Sequence, residues 1–130
     1  TQGAAAQAPE SELAKYVTTS ASLAIIESPD HATVWAYNGE TGRWAKLSLR
    51  PGAAELPKLV KLEYAIVETD DAIHGFSKQA GTWTSLERKP GVKFAWIQRA
   101  ETLAVASMGT WVYTFSPRAG TWSGVDLLNP

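Results

Sequence analysis

Few side chains in this chain can do chemistry. It has two histidines, no cysteine and 25 charged residues split almost evenly by sign. Glu27, Asp30 and His31 bracket one turn sequence, Ser28-Pro29-Asp30-His31, and Asp70 and Asp71 fall in a comparable turn further on. Carboxylate and imidazole ligands in that grouping suit a metal ion or a cationic ligand. Acidic turn residues are far more often simply solvated, however, because they bond their own backbone, so neither a metal nor a cofactor is assigned. Arg50 and Arg88 sit in loops that also carry Pro and Gly. Together with the acidic turns they form a candidate polar rim of Glu27, Asp30, His31, Arg50, Asp70, Asp71 and Arg88, suited to a small polar ligand, a glycan or a peptide. No Gly-x-Ser-x-Gly elbow, phosphate-cradling glycine loop or His-Glu-x-x-His pair is present, and the expectation is a chain without catalytic activity.

Composition narrows the partners further. A net charge of -1 and a pI of about 6.1 leave no basic surplus to neutralise a phosphate backbone, which excludes a general nucleic-acid binder. No apolar run reaches the roughly 20 residues of a membrane-spanning helix. The lack of cysteine removes disulfides and thiolate nucleophiles, and composition assigns no compartment.

The elements that position these residues follow from an internal repeat. Tyr37, Phe76 and Phe115 lie 39 residues apart, as do Gly42, Gly81 and Gly120, and Trp44, Trp83 and Trp122. Val34, Ile73 and Val112 precede the aromatic, Leu47, Leu86 and Val125 follow the Trp, and Asn38, Ser77 and Ser116 share the turn between them. A period near 40 residues is the mark of stacked structural units. Each aromatic-to-Trp segment reads as a β-hairpin closed by a left-handed Gly. The apolar runs at Leu23 to Ile26, Tyr64 to Val67 and Leu103 to Ala106 do not alternate, which predicts strands covered on both faces. Further strands are expected at Tyr16 to Thr19, Leu56 to Lys61 and Val92 to Gln98, giving an all-β chain of three four-stranded meanders over about 13–49, 50–88 and 89–127 within a unit of 13–130. Residues 1–12, rich in Ala and Gln, read as a flexible tail. His74, in the aromatic column, is read as packing. Trp35, Trp96 and Trp111, outside the repeated Trp column, are read as core, although exposed they would suit stacking on sugar rings.

Four short antiparallel strands in 39 residues, packed on both sides, describe a propeller blade. The unit resembles the kelch-type repeat, in which a Trp follows an aromatic by seven positions across a turn, as at Tyr37 and Trp44, Phe76 and Trp83, and Phe115 and Trp122. It departs from that pattern where kelch repeats carry Gly-Gly, since this chain has Glu27-Ser28, Glu68-Thr69 and Ser107-Met108. Propellers close with four to eight blades, so three blades leave two faces in water. With roughly 500 Å² of apolar area on each, a homodimer closing a six-bladed ring would bury about 2,000 Å². A β-trefoil monomer is the alternative fold. The function expected is a self-assembling binding or scaffold module. The alternatives are a lectin-like carbohydrate binder and an excised part of a larger propeller enzyme.

Overall fold

The computed structural model describes residues 12–52 and 54–130. The tail expected over 1–12 therefore falls, up to residue 11, outside the described residues. Among the described residues a 3-10 turn at Ala14–Tyr16 is followed by twelve strands. The first sheet is β1 (Val17–Ser20), β2 (Leu23–Glu27), β3 (Thr33–Asn38) and β4 (Arg43–Ser48). The second is β5 (Lys58–Val60), β6 (Tyr64–Glu68), β7 (Ala72–Ser77) and β8 (Thr82–Glu87). The third is β9 (Phe94–Arg99), β10 (Ala104–Met108), β11 (Trp111–Ser116) and β12 (Thr121–Asp126). Each is an antiparallel meander whose spatial order follows the chain. The alternative fold, a β-trefoil, is not formed: its barrel would join strands of different repeats, whereas among the described residues each sheet is complete within its own repeat.

The hairpin between third and fourth strands is the same in all three sheets, and its chemistry is local. Gly42, Gly81 and Gly120 have φ of +72°, +74° and +73°, and their N–H groups donate back to Asn38 O, Ser77 O and Ser116 O at 2.7–2.8 Å. A Cβ is strained in that left-handed conformation. The turn sets the register, which places Tyr37 opposite Trp44, Phe76 opposite Trp83 and Phe115 opposite Trp122. Those rings meet at centroid distances of 4.7, 5.4 and 5.1 Å.

The sheets stack face to face. One core cluster joins Leu23, Ile25, Val34 and Ala36 of the first sheet to Ala65, Val67 and Phe76 of the second. Another joins Tyr64, Ile66 and Ile73 of the second to Ala104 and Phe115 of the third. The second sheet is covered on both sides, with Tyr64 to Val67 and Ala72 to Ser77 all buried. The outer two differ from the expectation. In β2 and β10 burial alternates, so that Ala24 and Ile26, and Val105 and Ser107, stay partly exposed. Both carry apolar residues on each face, but each has a neighbouring sheet on one side only.

Close packing between sheets explains Gly75. A Cβ built there would lie 2.7–2.9 Å from the Phe115 ring of the third sheet, so the two layers meet where one has no side chain. Gly75→Ala is expected to lower the stability of the chain by about 1–3 kcal/mol through overpacking, measured by equilibrium urea unfolding. An unchanged midpoint would show that the joint yields at this point.

Candidate functional site

The loops that join consecutive sheets meet the turns between second and third strands along one edge of the stack. This follows from a meander: the chain leaves the fourth strand at the end where the second strand also terminates. Between the first two sheets the edge opens into a cleft of about 940 Å³, lined by Arg50, Glu55, Glu68, Asp70, Asp71 and His74 among others. The Ser28-Pro29-Asp30-His31 turn lies on the same edge of the first sheet, with the Gly52 N–H donating to Asp30 O at 3.2 Å.

Within this edge the sequence-derived residues pair with specific partners. Arg50 Nη2 donates to Asp71 Oδ2 at 3.1 Å, both side chains being exposed. Asp71 also accepts from the Thr69 hydroxyl at 2.8 Å. That bond, with the Asp71 backbone N–H and the Arg50 and His74 charges, outweighs desolvation and holds its carboxyl below the usual range. Arg88 Nη2 donates to Glu68 Oε1 at 3.1 Å. Asp30 accepts from the Ser28 hydroxyl at 2.6 Å and the Ala32 N–H at 3.1 Å, closing its own turn. Asp70 is exposed.

Glu27 differs from the open rim group expected. Its side chain is only 2% exposed and faces the second sheet. The His31 ring donates through Nδ1 to Oε2, the Leu56 N–H donates to the same oxygen at 3.1 Å, and Lys58 Nζ lies 2.7 Å from Oε1. Burial raises the carboxyl pKa, but the bonds from Lys58, Leu56 and His31 and the Lys58 charge outweigh it, so the net shift is downward. Holding three donors on one buried carboxylate fastens the start of the second sheet to the first. His31, at φ +61°, reaches Glu27 from the turn. A buried charge is tolerated only with such partners.

Sequence reasoning did not single out Glu68, which does the same for the next pair of sheets. Besides Arg88 it accepts from Trp96 Nε1 at 3.1 Å. Lys58 and Lys78 were also missed. Lys78, 8% exposed, reaches Glu40 at 2.7 Å across the first joint, on the opposite edge. The signal for Lys78 was present in the repeat: residues 38–40 apart face one another across a joint, as do Asn38 and Lys78, Ser77 and Pro117, and Trp83 and Ala45.

His74 packs between the sheets as expected. It is bonded to the Thr69 hydroxyl through Nε2 and the Ser85 hydroxyl through Nδ1, and burial pushes its pKa down. Trp35, Trp96 and Trp111 are partly buried. Trp96 packs against the second core cluster, and Trp111 stacks on Tyr113 at 5.8 Å. They occupy three different strand positions, opposite Ile26, Ala106 and Met108. They therefore do not form one equivalent aromatic platform per repeat. Among the described residues no group of three or more His, Asp or Glu is arranged to hold a metal ion.

No family model matches the chain, and no curated protein matches it. Among solved structures it is similar to the crystal structure of Kluyvelomyces marxianus Hsv2, with a TM-score of 0.42 and 17% sequence identity over 82% of this chain. It spans 43% of the length of that protein.

The Glu27 cluster makes a pH prediction. A carboxyl whose folded pKa lies below its unfolded value of about 4.5 contributes stability that is complete above that value and is lost as pH falls through the folded pKa. Glu27→Gln is expected to cost about 1–3 kcal/mol near pH 7, and the gap to the parent chain should narrow in acid below the carboxylate range. Urea unfolding at a series of pH values reads both. A pH-independent gap would mean that the carboxylate charge plays no part.

Proposed function

We propose that this chain is half of a six-bladed β-propeller closed by two copies, and that its role is non-catalytic binding or scaffolding. The observation that carries this reading is the difference between the middle sheet and the outer two. All three repeats are written for two-sided packing, but only the middle one obtains it within the chain. Trp83 and Trp122 are packed against the preceding sheet, whereas Trp44, the same column in the first repeat, is 59% exposed. Leu47 and Leu86 pack toward the following sheet, whereas Val125 is 59% exposed. Exposed apolar residues in these columns mark unfinished joints.

The non-catalytic role is supported by the engagement of the polar groups on the edge. Glu27 is bonded to Lys58 and the Leu56 N–H of the second repeat, and Glu68 to Arg88 of its own repeat and Trp96 of the third, an arrangement that fixes shape. Recognition in this reading belongs to the mixed-charge cleft between Arg50 and Asp71, which suits a polar ligand, a glycan or a peptide.

Light scattering after size exclusion, across a concentration series, tests the assembly. A mass twice the 14.0 kDa of the chain, independent of concentration, is expected. A monomer would overturn the ring. Aggregation without a defined mass would instead favour a chain excised from a larger propeller, whose missing blades cover the same two faces.

A further inference from the structure

The two joints inside the chain are built from the same columns, and they define what a third would need. Across the first, Trp83 Nε1 donates to Ala45 O at 3.2 Å, and across the second Trp122 Nε1 donates to Thr84 O at 3.3 Å. In the opposite sense Asn38 Nδ2 donates to Lys78 O at 3.2 Å, and the Ser77 hydroxyl to Pro117 O. An aromatic ring also lies over a small residue of the preceding sheet: Phe115 covers Gly75, and Phe76 shares a cluster with Ala36. Advancing each contact by one repeat pairs Trp44 Nε1 with Ser123 O, the Ser116 hydroxyl with Gly39 O, and the Tyr37 ring with Thr114. All the members on the first sheet lie on its outer face or its hairpin, and all those on the third sheet lie on its outer face.

A second observation bears on what covers these faces. Glu27 and Glu68 hold corresponding places in β2 and β6, opposite Val34 and Ile73. Each meets a donor from the first strand of the next sheet, Lys58 or Trp96, and these donors also correspond, pairing with Val67 and Ala106. At the third joint the two columns read Ser107 and Val17. The donor is gone from one side and the carboxylate from the other. A Glu at position 107 facing Val17 would be a buried charge without a partner, which is strongly unfavourable. Loss of both members together is what contact between these two faces of one sequence requires.

Resting on the ring reading above, we infer that the two end faces are complementary and that a second copy fills them head to tail. The face bearing Val17, Tyr37 and Trp44 of one copy seats on the face bearing Ser107, Ser116 and Val125 of the other. Such a contact is directional, and it gives a closed assembly only when the rotation per sheet brings the last face round to the first. Two copies supply six sheets and two identical joints of roughly 1,000 Å² each, about 2,000 Å² together, which is within the range of stable dimers.

The test uses variants at two exposed positions, Trp44→Glu and Val125→Glu, each checked for an intact far-ultraviolet circular dichroism spectrum. Each alone is expected to run as a monomer, because both of its joints contain the altered face. Mixed, they should form a 1:1 heterodimer, identified by native mass spectrometry with one partner isotope-labelled, since one of their two joints is then wild type on both sides. If one variant dimerises like the parent while the other does not, the faces pair with themselves and the directional joint is wrong. A mixture that stays monomeric overturns it as well. A parent chain that is itself monomeric removes the ring, and the joint with it. A second measurement moves the carboxylate clamp into the third joint. Ser107→Glu should weaken association by tenfold or more, and adding Val17→Lys should restore it. Independent effects of the two substitutions would show that these columns do not meet.

Discussion

Each sheet carries apolar residues on both faces, and the rest of the structure depends on covering them. A β-strand presents successive side chains to opposite sides, so a run such as Tyr64 to Val67 buries fully only between two other layers. The second sheet meets this condition and contributes to both core clusters. The first and third meet it on one side, which is why identical columns have unlike burial. Trp44 and Val125 are exposed by their position in the stack, their strand pairings being the same as those of their counterparts.

Polar contacts give the stack its order. The indole N–H of Trp83 or Trp122 reaches a carbonyl of the preceding sheet, and the hydroxyl or amide of Ser77 or Asn38 reaches the following one. Because donor and acceptor differ on the two sides, a sheet has a leading and a trailing face, and hydrophobic area is given a direction. Glu27 and Glu68 add to this by tying the first strand of the next sheet to the second strand of the one before. The same carboxylates that could have been read as ligand-binding groups are thus structural fasteners. Arg50 and Asp71, left to solvent, line the cleft between the first two sheets.

Much of the fold was legible in the sequence. The 39-residue register gave the number of sheets and their order. The Gly columns located the hairpins, and the aromatic-to-Trp spacing placed the rings opposite one another. These features were readable because turn geometry and strand pairing are set by residues close together in the chain. The site was less legible. That acidic turns and loop arginines share an edge follows from a meander, but Lys58 and Glu68 gave no local sign of their partners. Glu27 lies 29 residues from Leu56 and 31 from Lys58, spacings that carry no meaning until two sheets are superposed.

The sequence by itself determined the repeat, the all-β unit and its hairpin chemistry. Only the tertiary structure decided which side chains are buried, which carboxylates are clamped and which two faces remain uncovered. The physical reason is that a repeat encodes the same local conformation in each copy, whereas burial belongs to the neighbours a copy has. Three copies of one pattern, stacked in a row, have a middle and two ends. The pattern of a single repeat does not record which of these it will be.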